Sequence, residues 1–372
     1  MEIYEIPIKF AFIVFPFAAF ILTIPFLLFQ YRKYGAIPIL KSACFYSLIL
    51  YLICAYFLVI LPLPSIESVT KIVGPKYQLM PFRFVQDIMV TVNFKINSIA
   101  GILKILKSPT IYTVLFNIVL TLPFGVYLRY YFNKKWYHTI IYTFLLSLFF
   151  ELTQLSGLYG IYPRPYRLFD VDDLLINTLG GIVGHIITPI LTIFLPTKDE
   201  LEIKSYKKGS KVTLLRRIMS LIIDIFCLLI LCLISKILLY DSTIEKYYAL
   251  ITITIYYMLI PIFTSGKTIG KMILKLKLIS MGNELKWYQI LFRNFLLVYI
   301  VLYPPAWVNI LKLTEPVEIR LWSVIGLCQI INFFHYIMTI PKNSPLFLYE
   351  RLTNTKNIST IEYNHEKTSI ID

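Results

Sequence analysis

Glu151 and Gln154 stand three residues apart, so a helix would carry them on one face. Glu151 follows Phe149-Phe150 inside an apolar run. A carboxylate at membrane depth is a functional candidate by default, because hydrocarbon strongly disfavours an unpaired charge. A loop with Pro163, Arg164, Pro165 and Arg167 follows, then Asp170-Val171-Asp172-Asp173, with Asn177 at i,i+4 from Asp173. Arg167 can clamp a carboxylate or phosphate at two points, and the amides of Gln154 and Asn177 offer peptide-like hydrogen bonds. Asp170, Asp172 and Asp173 also permit a divalent ion beside a phosphate, so metal binding stays open. A plainer reading uses the same residues. Asp170 caps a helix, Asp172 and Asp173 sit at its positive N-terminus, and Arg167 pairs with an aspartate at the surface.

Further along, Arg217 precedes Asp224 by seven residues, two turns along one helix face. Asp224 lies deep in an apolar run and needs a partner: a structural ion pair, a hydrogen bond to a neighbouring helix, or an ion or proton path. Gly266-Lys267-Thr268-Ile269-Gly270-Lys271 invites a phosphate-binding reading, but it lacks the P-loop spacing and follows an apolar run rather than a strand. It reads better as a tight cytoplasmic turn whose lysines meet anionic lipid headgroups. His138, His185, His335 and His365 are scattered, and no known catalytic constellation is complete. No cofactor is expected. His185, eight residues after Asn177, reads as a packed, hydrogen-bonded side chain.

These residues require helices through a membrane to position them. Of 372 residues 58% are hydrophobic and only 15% charged, against the roughly 45–50% apolar content of soluble domains. Mean hydropathy is +0.71. The apolar residues come in runs of about 20, long enough to cross a hydrocarbon core, where a helix satisfies its own backbone. The expectation is an all-α polytopic bundle of about nine spans, near 9–30, 43–63, 110–132, 137–157, 173–195, 214–240, 247–264, 288–310 and 321–341. Gly180 and Gly184 form a small-xxx-small pair that allows close helix approach.

The net charge of +15 sits between the apolar runs, as the positive-inside rule expects, and shows no basic face with interleaved aromatics. Nucleic acid is therefore not an expected partner; membrane lipids are. The basic loops after the first, third, fifth and seventh spans place the N-terminus outside and the C-terminus in the cytoplasm. Residues 65–108, external by this count, carry Lys71, Lys76, Arg83, Lys95, Lys104 and Lys107 against that trend and read as partly amphipathic or re-entrant. Glu2 and Glu5 before the first run argue against a cleaved signal peptide. Cys44, Cys54, Cys227, Cys232 and Cys328 fall in apolar runs and read as buried free thiols. The composition break is a basic linker at 197–213. It divides a module of about five spans (1–196) from one of about four (214–356), with a polar tail at 357–372.

A family resemblance adds to this. The run from Arg167 through Asp170-Val171-Asp172-Asp173 and Asn177 to Gly180-Gly181 resembles the signature of VanZ-like membrane proteins. Asn117 with Leu122-Pro123-Phe124-Gly125 is similar to that family's Asn-then-Pro-Phe-Gly element, and Glu151-Leu152-Thr153-Gln154 to its Glu-x-x-Gln. Gln78-Leu79-Met80-Pro81-Phe82 is similar to its early Asn-Leu-x-Pro-Phe segment, with Gln78 in place of Asn. The resemblance covers about 10–195. It implies a cell-envelope protein with a link to low-level resistance to the glycopeptide teicoplanin, and it supplies no mechanism.

Residues of about 212–356 resemble the RDD family. Arg216-Arg217 and Asp224 stand for its Arg and first Asp, the 266–271 loop for its Gly-x-Thr-x-Gly-Lys, and Arg293-Asn294 for the following Arg-Asn. Tyr349-Glu350 stands where His-Asp is usual, so Glu350 replaces the second Asp. The family's association is with transport.

Three functions are thus expected to compete. One is a non-enzymatic envelope protein whose outer-leaflet site (Glu151, Gln154, Arg167, Asp170, Asp173, Asn177 and Asn117) binds a cell-wall precursor, its lipid or a glycopeptide. The second is a metal-dependent enzyme on a lipid-linked substrate. The third is an ion or small-solute transporter working through Asp224. Oligomeric state stays open.

Overall fold

The computed structural model of the chain describes residues 2–92, 109–240, 247–282, 284–302, 308, 314–339 and 346–361. Lys95, Lys104, Lys107 and His365 lie outside the described residues. The chain divides into two compact units, Met1–Ile24 with Pro38–Leu201 and Pro25–Ile37 with Glu202–Asp372. The first helix therefore contributes to both, and each unit is described by itself.

In chain order the first unit contains α1 (Glu2–Tyr34, its first part), α2 (Ile39–Ile60), α3 (Ile66–Thr70), β1 (Tyr77–Gln78), α4 (Arg83–Val92), α5 (Pro109–Tyr130), α6 (Trp136–Leu155), β2 (Phe169–Asp170) and α7 (Val171–Leu191). The linker is itself a helix, α8 (Lys198–Gly209). The second unit holds α9 (Leu214–Leu238), α10 (Tyr248–Phe263, with a π-helical stretch Ile255–Leu259), α11 (Ile269–Ile273), β3 (Leu276–Ser280), α12 (Trp287–Phe295), α13 (Glu315–Thr339), α14 (Leu348–Leu352) and β4 (Thr355–Ser359).

Among the described residues, seven helices are long and apolar enough to cross a membrane: α1, α2, α5, α6, α7, α9 and α13. The expected span at 247–264 is the shorter α10. The one expected at 288–310 begins as α12 and continues as a π-helix over Leu296–Leu302, beyond which most residues are not described. The protein is an all-α, multi-pass membrane protein. Among the described residues its sheet is confined to two short ladders, β1 with β2 in parallel and β3 with β4 antiparallel. The second ladder takes in residues 357–359 of the expected polar tail, which continue the strand Thr355–Ser359.

The core of the first unit depends on one close approach. A Cβ added to Gly184 of α7 would overlap the Leu122 carbonyl of α5, and one on Gly125 of α5 would overlap the Gly181 carbonyl of α7. Only glycines let these backbones touch. On the other side of α7, α6 presents Thr139, Thr143 and Ser147, all fully buried at i,i+4 spacing. They meet His185, Gly181 and Asn177 in turn, the register of two antiparallel helices. His185 is accordingly hydrogen-bonded, its Nδ1 2.8 Å from Thr139 Oγ1.

The cysteines depart from expectation. All five are free, but four are half-buried and Cys328 is exposed. Cys227 packs against the apolar cluster of Ile253, Tyr256 and Val298 in the second unit, while Cys328 faces outward.

Candidate functional site

The first candidate site forms where α6 ends and α7 begins. Asp170 caps α7, its carboxylate accepting the Asp172 N–H at 2.8 Å. Burial raises the Asp170 carboxyl above the ordinary aspartate range, against the lowering bond from that N–H. The backbone N–H of Asp170 donates in turn to Glu151 Oε2 at 3.0 Å, which ties the end of α6 to the start of α7. Asp172 reaches elsewhere: its two oxygens accept the backbone N–H groups of Phe82 (2.6 Å) and Phe84 (2.9 Å) at the start of α4. Together with the β1–β2 pairing, this fastens the segment 77–92 onto the site. Asp172→Ala is expected to cost about 1–2 kcal/mol, the scale of a lost helix cap. Faster tryptic cleavage after Arg83 with unchanged helix content would register it.

Asp173 accepts from Asn117 Nδ2 of α5 at 2.6 Å. Asn177 donates to Ser147 Oγ at 2.9 Å, and its backbone carbonyl accepts from Thr121 at 2.7 Å. The Asn177 Oδ1 atom is buried and has no hydrogen-bond partner. A cavity of about 230 Å³ opens here, and Glu151, Asp173, Asn117, Asn177 and Arg167 all line it. Its remaining wall is largely apolar and includes Leu58, Val59, Phe116, Leu120 and Phe150.

Five of the seven expected site residues therefore meet at one cavity, and two do not. Gln154 turns to the Val59 carbonyl at 3.1 Å, and Asp170 is occupied as the cap. Arg167 forms no ion pair with an aspartate among the described residues; it donates to the Leu61 carbonyl at 3.4 Å. The three aspartates diverge to separate partners, and no group of three acidic, Cys or His side chains is arranged to hold a metal ion among the described residues. Sequence reasoning passed over Thr121 and Ser147. The available signal was a small polar residue at helical spacing inside each apolar run.

The second unit holds its buried charges in three groups. Asp224 of α9 accepts from Tyr256 Oη (2.6 Å), Thr268 Oγ1 (2.7 Å) and the Gly270 N–H (2.8 Å). Glu350, fully buried, accepts from Arg217 Nη1 at 2.8 Å and Arg293 Nη2 at 3.3 Å. Arg216, also fully buried, donates to the carbonyls of Gly209, Leu274 and Lys275 and to Ser359 Oγ, all within 3.0 Å.

A family model described as VanZ/LLP1 matches residues 45–192, and one described as RDD family matches residues 211–344. The chain joins a VanZ-like domain to an RDD family domain. No curated protein and no solved structure matches it.

The named halves sharpen several readings. In the VanZ-like half, Gly125 of the Pro-Phe-Gly element is the point where α5 meets α7, and the Gln78-to-Phe84 segment is the one held by Asp170 and Asp172. In the RDD half, Arg217 and Asp224 share a helix but not a bond. Arg217 pairs with Glu350, and Asp224 anchors the Gly-x-Thr-x-Gly-Lys turn. That turn does not offer both lysines to headgroups. Lys271 is buried and donates to the Gly266 carbonyl at 3.1 Å, because the bonds from Thr268 and Gly270 to Asp224 draw the turn inward. Glu350 itself lies beyond the matched stretch.

Proposed function

We propose that the VanZ-like half is a non-enzymatic cell-envelope binding protein that receives the polar end of a lipid-linked cell-wall precursor in the outer leaflet. The observation that carries this reading is the cavity of about 230 Å³, with two carboxylates, two amides and an arginine set against an apolar wall. Glu151 and Asp173 suit an ammonium or peptide N–H, and Arg167 suits a neighbouring carboxylate or phosphate. The size favours a headgroup fragment over the antibiotic, since pockets for drug-sized molecules run to roughly 300–1,000 Å³. Reduced susceptibility to teicoplanin would then follow from altered precursor presentation. Apart from Leu120 at mid-span, the cavity's helical residues lie toward the ends of spans opposite the basic loops, which the positive-inside rule assigns to the outside.

The transporter reading has weaker support, because both oxygens of Asp224 are occupied by donors from its own unit. The test uses the full chain in lipid nanodiscs and a purified lipid-linked precursor. Glu151→Gln and Arg167→Ala are each expected to weaken binding about tenfold, the scale of one charge-assisted hydrogen bond. Teicoplanin susceptibility is expected to rise at unchanged membrane level. Unchanged binding in both variants would reject the site.

A further inference from the structure

We propose that the RDD half binds a small oxyanion, a phosphate or carboxylate group, in the cavity walled by Arg217, Lys271, Arg293 and Tyr257. This site lies in the second unit and is independent of the precursor site above. The cavity measures about 140 Å³, well above the roughly 10–15 Å³ that one water requires.

Its charges do not balance. Three cations, Arg217, Lys271 and Arg293, face Asp224 in the lining, with Glu350 bridging the two arginines. Among the described residues, three cations against two carboxylates leave one positive charge. The carboxylates are also fully engaged. Glu350 accepts from both guanidiniums, from Asn357 Nδ2 and from the Phe347 N–H, while Asp224 accepts from three donors.

Lys271 carries the surplus. Its ammonium is buried, bonds only the Gly266 carbonyl, and has no carboxylate at ion-pair distance among the described residues. A buried charge without a counter-ion is strongly disfavoured, and a bound anion would supply one. Burial first, and the nearby Arg293 second, push the Lys271 ammonium down to about 7, so an anion bound beside it would also hold it in its charged form. Tyr257 adds an independent observation. Only 4% exposed, it lines the cavity, and its hydroxyl has no hydrogen-bond partner. A phenol in that position can donate to an anion's oxygen.

The phosphate could belong to a free ion or to a lipid headgroup, and the experiment separates them. The full chain, purified and stripped of lipid by detergent exchange, is titrated with inorganic phosphate and with acetate by calorimetry. The titration is then repeated in nanodiscs of phosphatidylglycerol and of phosphatidylcholine. We expect saturable phosphate binding that Lys271→Gln weakens about tenfold and Tyr257→Phe about threefold. Loss of phosphate binding only in phosphatidylglycerol identifies the headgroup as the occupant; binding in both lipids identifies the free ion. Tyr257→Phe keeps the test decisive if Lys271→Gln does not fold. Its hydroxyl bonds nothing in the free protein, so its melting temperature without phosphate is expected to equal that of the wild type. Absence of binding by the wild type to phosphate, acetate and phosphatidylglycerol, or wild-type affinity in the folded variants, would overturn the proposal.

Discussion

Glu350→Ala is expected to destabilise the second unit by about 3–5 kcal/mol, the largest single effect of any charge substitution considered. The carboxylate is fully buried and joins Arg217 and Arg293 at 2.8 and 3.3 Å. It also accepts the Phe347 N–H at the start of α14 and the Asn357 amide of β4. Removing it leaves the Arg293 guanidinium, 1% exposed, without a carboxylate at ion-pair distance among the described residues, and unpairing a buried charge costs far more than the pair itself contributes. Glu350→Gln separates charge from shape. It keeps an acceptor for only one of the Phe347 N–H and the Asn357 amide, which bond different carboxylate oxygens, and it removes the negative charge beside Arg293, so a loss close to that of alanine is expected. Thermal unfolding of the full chain in detergent measures both. A loss below about 1 kcal/mol in Glu350→Ala would contradict the buried network.

Gly184→Ala is expected to be nearly as damaging, through sterics alone. Its Cβ would overlap the Leu122 carbonyl, a backbone atom that no rotamer change can move. Overpacking of this kind typically costs about 1–3 kcal/mol, and here relief requires α5 and α7 to separate. These two helices carry Asn117 and Asp173, joined at 2.6 Å, so the cavity should open along with the helix pair. Two results are expected: a lower melting temperature and loss of precursor binding in the remaining folded protein. Gly326→Ala is the control. That position on α13 has open space around its Cβ, and alanine favours helix by about 1 kcal/mol. If both substitutions behaved alike, close packing at Gly184 would not be what holds the pair.

The sequence by itself determined the membrane-spanning helices, because hydrocarbon admits a chain only where an apolar run satisfies its own backbone, and such runs are read directly. It also located the residues of the first cavity. Carboxylates and amides are rare in apolar runs, and Glu151, Asp173 and Asn177 stand out on that ground, whereas Asn117 entered through the family resemblance.

Only the tertiary structure decided which of those groups bond which. Asp170, Asp172 and Asp173 are neighbours in sequence, yet they serve the cap of α7, the start of α4 and the Asn117 amide of α5. Adjacent residues of a helix point in different directions, so proximity in sequence does not imply a shared partner. Arg217 and Asp224 likewise lie on one helix, two turns apart, but each is closer to donors or acceptors from other elements. Lys271 passed for a headgroup contact because burial of a lysine cannot be read from a glycine-rich turn. It is the inward bonds of Thr268 and Gly270 to Asp224, over 44 and 46 residues of separation, that carry it inside. Hydrophobic pattern is a one-dimensional property; the pairing of buried charge depends on which helices pack together.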